Sequence, residues 1–236
     1  MPTLAVAVTV LQLIFSPDPR VADLPLADIA RVVHEIWSPH VEVVLSAPGT
    51  VARLGAHALS LHISDSTPTS RSGEPLDALA WIDFVDGEPQ PAITIAPRRA
   101  AETIAKATVF GRPSREWPAV LERRMRANAI GRALAHEIGH YLLRSAAHAP
   151  RGLMRAAFKP QDFAEPDNNR FRLLPAQVDQ VRARWVAPLR AEREATPGAP
   201  WPGAGDVLEA AASRERSAVI RPQRGAPRDE SPLARP

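Results

Sequence analysis

The chain has 236 residues, 45% of them hydrophobic, and carries a formal net charge of +3. That length and apolar share suffice for one substantial domain with a real core, alone or followed by a tail. Cysteine is absent, which excludes disulfides and thiolate ligands and leaves histidine and carboxylates as the only zinc donors.

The first 15 residues are apolar, yet no basic residue precedes them and no small-x-small cleavage site follows, so a signal peptide is not expected. Leu4, Val6, Val8 and Val10 alternate with Ala5, Ala7 and Thr9, the period of a core strand. Asp23 and Pro25 open a helix whose buried stripe is Leu26, Ile29, Val33 and Ile36, and Ser38-Pro39 ends it. Strands are predicted at residues 41–45 and 58–63, with a polar loop over 65–75. A strand over 79–85, a turn at Asp86-Gly87 and a strand over 92–96 follow. A short helix is expected around residues 100–107. Pro118 then introduces a long helix over 119–143. Beyond Met154 the pattern is irregular until Pro175 opens a last helix over 176–185. From residue 187 the composition turns to Pro, Ala, Gly and alternating charge, the signature of a disordered tail. No apolar run spans a bilayer. The groups Arg98-Arg99 and Arg123, Arg124, Arg126 lack interleaved aromatics, so they read as solvated faces and no nucleic-acid partner is expected.

Inside the long helix lies His136-Glu137-Ile138-Gly139-His140. Residues four apart share a helix face, so His136 and His140 can offer ring nitrogens to one ion, with Glu137 beside it. Two neutral imidazoles on zinc, an activated water and a carboxylate to take its proton make up the machinery of a metallohydrolase. Ile130, Leu134, Ile138 and Leu142 line one side of this helix and Ala129 and Ala133 another, as in a buried helix. The remaining histidines considered, His34, His57 and His62, read as locally satisfied or solvent-facing.

A catalytic zinc usually takes three protein ligands and a water. His148 would sit roughly 12 Å further along the axis if the helix ran on, so the chain has to leave it near Arg144-Ser145. No glycine between Gly139 and Gly152 helps it do so, and a left-handed residue of another type costs about 1–2 kcal/mol. Asp162, Glu165 and Asp167 compete with His148 for the third position.

His136-Glu137-x-x-His140, the later His148 and Gly152-Leu153-Met154 together resemble the metzincin clan of zinc metallopeptidases, nearest a bacterial matrixin-like form. The resemblance implies His136, His140 and His148 as zinc ligands, Glu137 as general base, and Met154 in a tight turn beneath the metal. It further implies that the strand over 79–85 lines the cleft and pairs with an extended peptide. The clan's strict pattern has glycine three residues and histidine six residues after the second histidine, where this chain has Leu143 and Ala146.

The expectation is therefore an α+β catalytic domain over residues 1–186. In it a mixed, mostly parallel five-stranded sheet packs on the long helix, a C-terminal helix follows, and residues 187–236 form the tail. The expected activity is that of a zinc-dependent metalloendopeptidase with Zn2+ as cofactor, acting as a monomer on peptide or protein substrates; the sequence does not fix the compartment, with the cytoplasm favoured over secretion. Two other readings stay open: a catalytically impaired binding protein that keeps the fold, and a zinc peptidase with a carboxylate as third ligand.

Overall fold

The computed structural model describes residues 10–51, 57–66, 77–109 and 111–186. The strand expected from Leu4, most of the polar loop over 65–75 and the tail over 187–236 lie wholly or partly outside these residues.

Strand β1 (Val10–Phe15) buries Leu11, Leu13 and Phe15 almost completely. Helix α1 (Leu26–Trp37) follows, then β2 (Glu42–Ser46) and β3 (His57–Ile63). Each strand is short and rich in β-branched or large apolar residues on its inward positions. β4 (Ala80–Val85) and β5 (Glu88–Ile95) form a hairpin through Asp86-Gly87, whose φ values of 52° and 82° are those of a two-residue turn with both central residues left-handed. That turn starts pairing at once, so β5 begins at Glu88 and not at residue 92 as expected. Among the described residues the sheet order is β2-β1-β3-β5-β4, with β4 the only antiparallel member and an edge.

Helix α2 (Pro97–Ala105) starts three residues earlier than predicted because Pro97 occupies its first turn. A two-residue hairpin, β6 (Thr108–Val109) with β7 (Arg112–Pro113), leads to α3 (Ala119–Leu143), which has the expected bounds. α4 (Pro160–Ala164) falls where an irregular segment was expected. Pro160 supplies its first turn, and the Asp162 carboxylate accepts the Lys159 N–H at 2.8 Å. α5 (Pro175–Val181) is shorter than expected, since Arg182–Val186 winds on as a π-helical turn.

The long helix α3 packs against α1, α2, β4 and β5. Its approach to α1 depends on Gly131, where an added Cβ would stand 2.7 Å from the Cβ of Val32. Trp37, fully buried at the end of α1, donates its indole N–H to the Ala135 carbonyl at 3.1 Å. The helix is thus pinned one residue before His136. Among the described residues no helix is long and apolar enough to cross a membrane.

Candidate metal centre

His136 and His140 lie one turn apart on α3, and His148 comes back to them. Each of the three can contribute one ring nitrogen to a group in which all the nitrogens lie within 4.8 Å of one another. Among the described residues this is the only such cluster. The return of the chain answers the missing glycine directly: Arg144 itself takes the left-handed conformation, φ 50° and ψ 49°. Around it the Ser145 N–H donates to the His140 carbonyl and the Arg144 N–H to the Tyr141 carbonyl, both at 3.2 Å. These are the two bonds of a Schellman ending. Arg144 also forms an ion pair with Glu88 at the hairpin.

The last carbonyls of α3 find partners some 40 residues later. Trp185 Nε1 donates to the Leu142 carbonyl at 2.7 Å, and Gln180 Nε2 and Arg184 Nη1 donate to that of Leu143 at 3.0 and 2.9 Å. Past His148, the Ala149 N–H donates to the Met154 carbonyl at 2.7 Å, closing a turn in which Gly152 has φ 78°. A side chain there would meet the Arg172 carbonyl at 2.6 Å. The turn carries Met154 under α3, where its sulfur fills the space above Gly139: an added Cβ would stand 2.2 Å from it.

The hydrogen bonds decide which nitrogens face inward. His136 Nδ1 lies 2.7 Å from the Leu153 carbonyl, and His140 Nδ1 lies 2.6 Å from the Ser145 carbonyl. Carbonyls only accept, so both Nδ1 atoms carry hydrogen and each neutral ring presents a lone pair at Nε2. Those two Nε2 atoms are 3.0 Å apart. Facing lone pairs at that distance repel unless a proton or a metal cation lies between them. Burial opposes the proton: it pushes His136 down to about 4, with help from neighbouring His140, and lowers His140 as well. Nitrogens bound to one tetrahedral zinc sit roughly 3.3 Å apart, close to the spacing found. The donor set therefore fits a divalent metal.

Glu137 is buried on the adjoining side of α3. Burial pushes its carboxyl up to about 8, opposed by the N–H of Ile82 in β4, which donates to it. The histidines and Glu137 open on a cleft of about 550 Å3 bounded by β4 and by the segment around Phe158.

None of the three carboxylates considered as third ligand joins the histidines. Asp162 accepts from Arg155 and from the Lys159 N–H, Glu165 pairs with Arg170 at 2.9 Å, and Asp167 accepts the Asn169 N–H. What turns this stretch is Arg132, which no sequence motif marks. It is 1% exposed and donates to the carbonyls of Asp162, Phe163, Glu165 and Asp167 and to Asn168 Oδ1, with its guanidinium over the Phe171 ring. The available signal was an arginine four residues before His136, hence on the same face of a buried helix. Of the histidines set aside, His62 shares a hydrogen bond with Ser16, and His57 meets Trp185 edge-on at 4.7 Å.

Fold and side chains together define an α+β domain with an H-E-x-x-H helix beneath a mostly parallel sheet and three convergent imidazoles. No family model matches the sequence, and no curated protein matches it. Among solved structures the chain is similar to a zinc-dependent peptidase from Methanocorpusculum labreanum (strain Z). The identity is 10% and the TM-score 0.40, over 72% of this chain and 99% of that one. At that level the likeness carries no argument about activity, which has to come from the side chains.

Proposed function

We propose that the chain is a zinc-dependent metalloendopeptidase of metzincin-like type, with His136, His140 and His148 as its metal ligands and Glu137 as its general base. The observation that carries this reading is the pair of Nε2 lone pairs converging at 3.0 Å with His148 alongside. Zinc held there supplies Lewis acidity, lowering the pKa of a water and polarising a peptide carbonyl.

Glu137 takes the proton of the attacking water on a carboxylate oxygen and returns it to the departing amine. Buried beside the histidines on α3, with the Ile82 N–H facing it, the carboxyl is placed for both transfers. Leu153 and Ser145 hold the two rings through their carbonyls, and Met154 supports α3 from below. The open side of β4 borders the cleft, so an extended peptide can add to it as a further strand, which makes recognition dependent on backbone more than on side chains. The catalytic unit runs over residues 1–186, with 187–236 as a separate tail.

The test is Glu137→Gln in the full chain. One zinc per chain should remain by metal analysis, while hydrolysis of an unstructured protein falls by roughly 10²–10⁴-fold. Turnover equal to wild type would remove Glu137 from the mechanism. Bound zinc in His148→Ala compared with Glu165→Ala separates the histidine from the carboxylate ligand set: only the first should lose the metal.

A further inference from the structure

The lining of the cleft carries a guanidinium that the proposed mechanism does not use. Arg155 directly follows Met154. Its Nη2 donates to Asp162 Oδ2 at 2.5 Å, and its guanidinium carbon lies 4.4 Å over the Phe158 ring. That ring in turn meets His136 edge-on at 6.1 Å. One aromatic ring therefore separates the guanidinium from the metal centre. The group is held beneath by the ring and at one end by the carboxylate, a fixed position for a side chain that usually has many.

Its donors are not all used up. Nη1 makes no hydrogen bond among the described residues; Nε also lacks a partner but is buried, which leaves Nη1 as the donor open to a ligand. Nor is its charge cancelled, because Asp162 also faces Arg170 at 3.5 Å, one carboxylate between two guanidiniums. The other charged groups lining the cleft are committed. Arg132 spends all its donors on Asn168 and backbone carbonyls, and Asp77 is paired with Arg99 at 2.7 Å. Leu79, Ala133, Phe158 and Phe163 supply apolar wall for the methylenes of a side chain. A preorganised arginine with free donors beside such a wall suits a carboxylate at the end of a short aliphatic stem, since little further ordering is needed.

We propose that Arg155 is a specificity-determining residue, and that the pocket it overlooks takes a glutamate side chain of the peptide in preference to glutamine or leucine. The proposal rests on the peptidase reading, and two readouts keep their failures apart. In the zinc-loaded full chain, kcat/KM is measured for matched peptides carrying Glu, Gln or Leu at each of several positions in turn. At one position Glu should exceed Gln by tenfold or more, and in Arg155→Gln that ratio should fall to within about twofold. A Glu/Gln ratio near one in the wild type, or one that survives Arg155→Gln, overturns the proposal.

The second readout needs no turnover. Labelled Glu and Gln peptides are titrated against Glu137→Gln protein, alone and combined with Arg155→Gln or Arg155→Lys, with circular dichroism to verify folding. Tenfold tighter binding of the Glu peptide that disappears with Arg155→Gln supports the proposal even if the wild type hydrolyses nothing, in which case only the peptidase reading fails. Equal binding of the two peptides to folded protein refutes it.

Discussion

His136 and Glu137 are sequence neighbours whose burial pulls the pH dependence of stability in opposite directions. For His136 the folded value, about 4, lies below the ordinary 6.5, so the unfolded chain binds more protons between the two and stability is lost as pH falls through that window. For Glu137 the folded value, about 8, lies above the ordinary 4.5. The folded chain then keeps a proton that the unfolded chain releases, and stability is lost as pH rises from about 4.5 to 8. Metal-free Glu137→Gln should therefore be more stable than the metal-free wild type at pH 8.5, by on the order of a few kcal/mol, and by much less at pH 5. Thermal melts at the two pH values check it, and equal melting temperatures at pH 8.5 would contradict a buried, desolvated carboxyl. The pair His136 and His140 was legible in the sequence because four-residue spacing on a helix is local geometry. The commitment of their Nδ1 atoms to Leu153 and Ser145 was not, since it depends on where a later turn places two carbonyls.

At the scale of elements, the ending of α3 and the turn beneath it repay direct tests. Arg144→Gly should leave the chain as stable or more stable by about 1 kcal/mol: it relieves a left-handed cost of about 1–2 kcal/mol and gives up an exposed ion pair worth about 0–1. Arg144→Val should instead destabilise, since a β-branched residue resists positive φ. Chemical denaturation of the two variants measures both effects. Gly139→Ala should cost about 1–3 kcal/mol by overpacking against Met154, and should weaken zinc binding, because α3 or the turn has to shift. Both bounds of this helix were readable in advance: Pro118 marks the start, and the need to bring a third ligand back marks the stop. The means of stopping were not, because glycine is the usual sign and here an arginine fills the position, with the freed carbonyls capped from far along the chain.

For the molecule as a whole, the number of strands was readable from strand-length apolar runs, whereas the mostly parallel kind of the sheet and β4 as an edge followed from the resemblance. The long-range organisers escaped notice: Trp37 on Ala135, Arg132 on the 162–168 segment, and Gln180, Arg184 and Trp185 on the end of α3. Each is a side chain satisfying backbone groups distant in sequence, and no local pattern encodes such a pairing. They define a boundary that can be tested. A chain ending at residue 186 should keep its melting temperature and, on the proposed reading, its affinity for zinc, whereas one ending at residue 179 strips the caps from Leu142 and Leu143 and should lose stability and metal affinity together. If the shorter chain binds zinc as the longer one does, those caps are dispensable.

The edge position of β4 has one more effect. A sheet margin left open for a ligand is also a template on which a second copy of the chain can nucleate, and proteins guard such margins with charge or by leaving few groups to pair. Here Asp83 is exposed on the margin, and the Ile82 N–H beside it faces a carboxyl of its own chain. Charge on the margin discourages a second copy from pairing there, while a single extended peptide, on the proposed reading, can still meet the remaining backbone groups of β4.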